Sequence, residues 1–269
     1  MRYAIDLGNS AAKVGWLDGA LRQSLRVTAP ADPESAAAWR GQLDSLLDLA
    51  TSEGGPADHL VAASVVPLAA EVLAEIAAER GIPLTRLNAT DIPLQSALEQ
   101  PERLGVDRAL AAWRAFERYG APHGRGAIAV TLGTALTITC VDRSGSIIGG
   151  AIAPSPLLAA RALASGTAAL PEITLFDESP DLPGPIGAST DAALAAGILR
   201  GARATLSALV EESAAEMSRR DPIAPPAAIV LGGGAAAAGW SNALHADARE
   251  ADLVLDAILA LADVAKARR

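Results

Sequence analysis

This chain is poor in several residue types, and each shortage excludes something. It holds one cysteine, Cys140, in 269 residues. A disulfide framework and a zinc site built from several cysteines are therefore excluded. Cys140 falls in an apolar strand-like run and reads as a small core residue. Aromatic residues make up only 3% of the chain while half of it is apolar, with alanine the commonest apolar residue. The core must then be helix-rich, with closely approaching backbones. Basic residues are outnumbered 22 to 31, giving a net charge of −9. That balance argues against non-specific binding to nucleic acid or to an anionic membrane, both of which demand basic surface. The longest apolar runs are interrupted or too short to span a bilayer, and no leader pattern precedes Met1-Arg2-Tyr3. The expectation is a soluble cytoplasmic protein, with no nucleic-acid or membrane partner, long enough to bury a sizeable core as one domain or two lobes.

Against that background two short stretches stand out: Asp6-Leu7-Gly8-Asn9-Ser10-Ala11-Ala12-Lys13, and Thr131-Leu132-Gly133-Thr134-Ala135-Leu136-Thr137. Each follows a strand-like run, Tyr3-Ala4-Ile5 in one case and Ala127 to Val130 in the other. A loop that wraps a phosphate chain must let backbone N–H groups approach anionic oxygens, so its side chains must be small. Gly8 permits that approach and Ser10 adds a donor. Asp6, at a strand end, can hold the hydrated magnesium ion that accompanies a nucleotide. Lys13, one of two lysines in the chain, can reach back toward phosphate. The same residues also suit an ordinary Asx or glycine turn with a solvated lysine beyond it. Two such hairpins, one in each half, predict related lobes gripping one nucleotide.

The rest of the pattern is α/β. Tyr3–Asp6, Ala12–Trp16 and Leu21–Val27 predict a meander turning at Asp18-Gly19. Asp32 is placed to cap a helix with Pro33 in its first turn. A buried strand at His59–Val66, a helix at Leu68–Arg80, a short strand at Pro83–Leu87 and a helix at Ala109–Tyr119 follow. Gly120 to Gly126 marks the expected boundary between lobes 1–120 and 121–269. The second half restarts with strands at Ala127–Thr131, Ala135–Asp142 and Ile147–Gly150. Helices are expected at Pro156–Ser165 and Asp191–Ser218, then a strand at Ala227–Leu231 ending in Gly232-Gly233-Gly234, glycines that can flank an adenine. A last helix, from Asp252 to Arg269, carries Lys266 and Arg268 at its C-terminal end, where cations belong.

A second element joins the hairpins. Gly105-Val106-Asp107-Arg108 lies at a loop-to-helix transition after Pro101-Glu102-Arg103-Leu104. An aspartate there can be a simple cap, and Asp107 beside Arg108 a surface pair. It can equally be a general base within reach of a hydroxyl, with a cation beside it to orient an acidic substrate.

Taken in order, these residues resemble the type III pantothenate kinases of the actin-like (ribonuclease H-like) superfamily that includes acetate and sugar kinases. The likeness rests on Asp6 to Ser10 with Lys13, Ala63-Ser64-Val65-Val66-Pro67, Pro101 to Arg108, and Leu132-Gly133-Thr134-Ala135. It continues through Ile148-Gly149-Gly150-Ala151-Ile152-Ala153-Pro154, Ala169-Leu170-Pro171 and Ile186-Gly187-Ala188-Ser189-Thr190. The resemblance implies two actin-like lobes, each a mixed sheet flanked by helices. It implies ATP-dependent phosphorylation of pantothenate, the first step toward coenzyme A, in a homodimer. Asp107 would be the base. Leu98, Gly105, Val106, Asp107, Arg108 and Thr190 would line the pantothenate site. Asp6, Leu7, Gly8, Asn9, Ser10, Ala11, Ala12, Lys13, Gly133 and Thr134 would face ATP, with Mg2+ held at Asp6 through water.

Four positions depart from the family pattern. Thr131 stands where an aspartate helps bind a monovalent cation, K+ or NH4+, and Thr139 where a second aspartate is usual. Leu98 replaces a tyrosine that contacts pantothenate, and Ser155 a glycine after Pro154. Two readings follow: an active kinase with altered or absent cation dependence, or a retasked relative that binds nucleotide or a regulatory partner. A kinase for another small hydroxylated substrate is a third, because Leu98 reshapes the pocket.

Overall fold

In a computed structural model of the chain, residues 1–19, 21–175 and 182–267 are described. They fall into two compact units: Met1–Pro93 with Glu102–Leu110 and Leu253–Arg269, and Leu94–Pro101 with Ala111–Asp252. The division is therefore not one cut near Gly120–Gly126, because the C-terminal helix belongs to the first unit.

The first unit opens with the expected meander, β1 (Arg2–Leu7), β2 (Ala11–Asp18) and β3 (Leu21–Thr28). Gly19 takes a φ of +59° in its turn, a conformation that favours glycine. The helix α1 (Ala36–Gly54) starts later than Asp32-Pro33 suggested. Ser35 is its cap, accepting the Ala38 N–H at 3.2 Å, while Asp32 accepts the Glu34 N–H at 3.1 Å in a separate turn. Two polar residues three positions apart competed for one cap, and local spacing alone does not rank them. Strand β4 (His59–Ser64), helix α2 (Pro67–Glu79) and strand β5 (Leu84–Leu87) complete a sheet of order β3-β2-β1-β4-β5. Here β4 stops two residues before the expected Val66, because Pro67 opens the helix and Val66 is its cap.

Next come a two-residue strand β6 (Gln95–Ser96) and helix α3 (Val106–Ala115), which continues into a π-helical turn at Phe116–Gly120. In the second unit β7 (Ala127–Leu132), β8 (Ala135–Val141) and β9 (Ser146–Pro154) form another meander. Strand β9 runs four residues past the expected Gly150. Gly150 allows this because a Cβ there would lie 1.8 Å from the Ile138 carbonyl oxygen, one pair before the register shift at Cys140–Val141 in the β8–β9 ladder. Helices α4 (Pro156–Gly166) and α5 (Thr190–Arg220), then strands β10 (Ala228–Gly232) and β11 (Ala248–Glu250), follow. The sheet order is β11-β10-β7-β8-β9-β6. From β9 to β11 it repeats the first unit: an antiparallel meander, then two parallel strands beside its first member. The last helix, α6, is described over Leu253–Ala267, and its expected continuation to Arg269 lies outside the described residues.

Strand alternation sets the two faces of each sheet. In the first unit Tyr3, Ile5 and Leu7 are buried against Trp39, Leu43 and Leu46 of α1 and Leu73 and Ile76 of α2. Truncating one such side chain to alanine costs about 2–5 kcal/mol. The other face, that of Ala4 and Gly15, packs on α6, where a Cβ at Gly15 would sit 3.4 Å from Leu255. Arg2 anchors that helix, donating from Nη1 to the Ala262 carbonyl at 2.7 Å, a cation at a helix C-terminal end. In the second unit Ile128, Val130 and Leu132 turn toward Leu206 and Val210 of α5, and the buried Cys140 lies in the same cluster.

Helix α5 is long and apolar enough to cross a bilayer, with mean hydropathy 1.3 over an 18-residue window of which 28% is buried. Arg200 and Arg203 interrupt this alanine-rich stretch, and the core helix of a soluble protein meets the same length and composition.

Candidate active site

The first hairpin is fixed by register. Ile5 pairs with Val14, Asp6 with Lys13 and Leu7 with Ala12. The turn closes where the Gly8 N–H donates to the Ala11 carbonyl at 3.0 Å. Leu7 and Ala12 are fully buried in the core, so at those positions only backbone is left to meet a ligand. Asp6 and Lys13 are half-buried and lie on the opposite face, with Asp6 also beside Ala63 of β4. Directly opposed antiparallel residues hold their Cβ atoms about 4.5–5.5 Å apart, so carboxylate and ammonium share one patch.

The second hairpin follows the same plan with a turn one residue shorter. Leu132 pairs with Leu136 and Thr131 with Thr137, and the Gly133 N–H donates to the Ala135 carbonyl at 3.1 Å. Thr131 thus stands where the first hairpin has Asp6, and Thr137 where it has Lys13. The charged pair is replaced by two hydroxyls, their oxygens 2.5 Å apart. Thr139, opposite Ala129, shares that face and is fully buried. Thr137 closes the second stretch in the sequence, and the two-residue alternation of β8 places it between Ala135 and Thr139 on one face, where its pairing with Thr131 appears only in the fold. Gly133 and Thr134 are exposed at the turn.

Asp107 lies inside the first turn of α3, not at a cap before it, because the helix begins at Val106. Its Oδ1 accepts the Arg108 N–H at 2.8 Å. Burial pushes its carboxyl above the usual aspartate value, while that N–H and the Arg108 charge pull it down. Gly105 makes the arrangement possible: a Cβ there would lie 2.6 Å from Asp107 Oδ1. Val106 is buried and faces the core, whereas Asp107 and Arg108 are half-buried. Asp6, Lys13, Asp107 and Arg108 all belong to the first unit.

Leu98 and Thr190 belong to the second unit. Thr190 is the exposed first residue of α5, which Ser189 caps by accepting the Ala192 N–H at 3.2 Å. Gly187 seats this motif, since a Cβ there would collide with Ala193 N at 2.2 Å. Leu98 is half-buried, its N–H donating to Ser96 Oγ at 3.3 Å. Ser155 has a structural task of its own: it caps α4 by accepting the Leu158 N–H at 3.2 Å.

The sequence matches the profile described as Type III pantothenate kinase over residues 3–212. A type III pantothenate kinase of Rubrobacter xylanophilus is 32% identical, covering 80% of this chain and 81% of its own length. The chain belongs to the type III pantothenate kinase family. A member from Halorhodospira halophila is 36% identical over 78% of this chain and 80% of the relative. Solved structures add the fold alone. A Baf family protein of Campylobacter jejuni aligns with a TM-score of 0.58 at 15% identity, over 98% of this chain and 99% of the other. A ROK family glucokinase from Streptomyces griseus, bound to glucose and AMPPNP, gives 0.52 at 15% identity, over 97% and 98%. The two mixed sheets thus have the actin-like fold of these structures.

Within this pantothenate kinase family member the implied ions differ in fit. Magnesium is commonly held by one or two carboxylates together with substrate phosphates, and Asp6 at a strand end suits that. Among the described residues no group of three or more His, Cys, Asp or Glu is placed to hold a metal alone. A carboxylate-held monovalent cation does not fit the second hairpin. Thr131, Thr137 and Thr139 are neutral, and two of their hydroxyls are bonded to each other.

Proposed function

We propose that this chain transfers the γ-phosphoryl group of ATP to the hydroxyl of pantothenate, yielding 4'-phosphopantothenate on the way to coenzyme A. The observation that carries the reading is the half-buried Asp107 carboxylate at the start of α3, held beside glycine and raised in pKa by burial. A base must be ionised yet basic enough to take a proton, and burial moves an aspartate that way. Phosphoryl transfer otherwise asks mainly for positioning and charge neutralisation. Asp6 holds the hydrated Mg2+ of the nucleotide. Lys13 and the turn from Gly8 to Ala12, with Asn9 and Ser10 at its tip, face its phosphates, as do Gly133 and Thr134. Gly105, Arg108, Leu98 and Thr190 contact pantothenate, with Arg108 supplying positive charge for its carboxylate.

The monovalent cation is dispensable in this reading, because the Thr131–Thr137 hydroxyl pair leaves no carboxylate to hold one. A second copy of the chain covers α5, a long apolar helix with little of its most apolar stretch buried; sedimentation or light scattering at the mass of a dimer checks this. The acidic chain works in the cytoplasm without nucleic-acid or membrane partners. Incubating the purified protein with ATP, magnesium and pantothenate, with potassium, ammonium or neither, tests the whole. Phosphopantothenate formed at similar rates in all three is expected. No product under any of them, with nucleotide binding retained, sinks the kinase reading in favour of a binding protein.

A further inference from the structure

Arg249 lies on the short strand β11, beside Leu231 of β10. Its Nη1 donates to the Ala236 carbonyl at 2.8 Å. Its Nη2 shares its hydrogens among the carbonyls of Ser241 at 3.0 Å, Asn242 at 3.2 Å and Leu244 at 2.8 Å. All four acceptors belong to one segment, residues 233–244, which leaves β10 and winds through two short 3-10 turns, Gly234–Ala237 and Gly239–Ser241. Such turns bond weakly, and their carbonyls keep a second lone pair to offer even where one N–H is already accepted, as at Ser241 from Leu244 at 2.9 Å. One planar guanidinium with five donors gathers these. Ser241 tightens the same knot, fully buried with Oγ 2.8 Å from the Ala238 carbonyl.

The knotted segment begins against the second hairpin. Gly233 has a φ of +93°, and a Cβ there would lie 2.6 Å from the Leu132 carbonyl oxygen and 2.9 Å from the Leu132 nitrogen. Its own N–H donates to the Ala251 carbonyl at 3.1 Å. Leu132 is the last residue before the Gly133–Thr134 turn. Backbone therefore rests on backbone at the base of that turn, and the guanidinium holds the far end of the segment that rests there.

We propose that Arg249 is a positioning residue for ATP: it fixes the 233–244 segment and, through Gly233 on Leu132, the Gly133–Thr134 turn. This rests on the reading that the turn faces the nucleotide. Arg249 acts through the loop and does not touch the ligand.

The test compares Arg249→Met and Arg249→Lys with the wild type in steady-state turnover and in binding of a fluorescent ATP analogue. Misplacement of a binding loop costs roughly 10-fold or more. In Arg249→Met the KM for ATP and the analogue Kd should rise by about that factor. The pantothenate KM, and kcat at saturating ATP, should stay within about twofold. Arg249→Lys, which keeps charge and three donors, should recover part of the ATP affinity. A purely structural role would lower the folded fraction, and with it apparent kcat, without moving the KM for ATP. That pattern, or equal rises for both substrates, overturns the inference. Should Arg249→Met fail to fold, Arg249→Gln decides by the same split. Wild type that binds no nucleotide sinks the underlying reading; wild type and Arg249→Met that bind it equally well sink the inference alone.

Discussion

Asp6 and Lys13 face each other across the first ladder, and the equivalent positions of the second hairpin hold Thr131 and Thr137, bonded through their hydroxyls. A duplicated hairpin has been divided between two kinds of chemistry. One copy carries an acid and a cation on the face away from the α1–α2 core. The other carries a neutral pair on the corresponding face. On the proposed reading, charge for the phosphates and their magnesium therefore comes from the first hairpin.

Lys13→Met is accordingly expected to lower kcat/KM for ATP by about 10²–10³-fold, the cost of removing one preorganised donor from a developing charge. Because Lys13 is half-buried on a strand, methionine keeps its packing and stability should change little. Turnover assays alongside thermal unfolding separate the two. Wild-type kcat/KM in Lys13→Met would remove the lysine from the phosphate site.

Asp107→Asn should reduce kcat by about 10²–10⁴-fold while leaving ATP binding nearly intact. The pH dependence has a definite sign. Asp107 has its folded pKa raised by burial, so kcat/KM should climb with pH through a value above the ordinary aspartate range. Stability runs the other way. Between the unfolded and the raised folded pKa the native state binds more protons than the unfolded one, so ionising Asp107 costs stability as pH rises through that window. The asparagine variant should consequently be as stable as wild type at neutral pH, or more so. Urea unfolding at two pH values checks it, and a clear loss of stability in Asp107→Asn would contradict the buried-carboxylate account.

Much of this is legible in the sequence because it is local. The period-two alternation of β1 and β2, with the glycine at the turn between them, is enough to place Asp6 and Lys13 on one face. Asp107 is legible as a helix-start acid, but its raised pKa is not, since burial comes from residues distant in sequence. Strands β6 and β11, two and three residues long, carry no periodic signal and exist only through their partners. The return of α6 to the first unit is equally hidden. Its apolar face fits any sheet, and only the small Ala4 and Gly15 on the back of β1 and β2 select this one.

The hydroxyl pair has consequences of its own. Thr131→Val removes one partner and leaves Thr137, which is buried, with an unsatisfied hydroxyl. A loss of about 1–3 kcal/mol is expected, read by denaturant unfolding. Thr131→Asp, by contrast, restores a carboxylate to this face. Its turnover should become sensitive to potassium or ammonium where the wild type is indifferent. Wild-type turnover that rises steeply and saturably with potassium would refute the cation-free hairpin.

Gly105→Ala separates positioning from folding most cleanly. The added methyl would fall 2.6 Å from Asp107 Oδ1, and the atom in its way is the end of a side chain, free to turn. The backbone can therefore stay in place, so the melting temperature should move by no more than a few degrees. The carboxylate cannot stay in place. Displacing a catalytic group by about 1 Å costs on the order of 10²-fold in rate, so kcat should fall by about that much with KM for ATP unchanged. Serine at the same position carries the same Cβ and should do likewise, whereas Val106→Ile, directed into the core, should not. Full turnover in Gly105→Ala would mean that the carboxylate orientation held by this glycine is not the one that takes the proton.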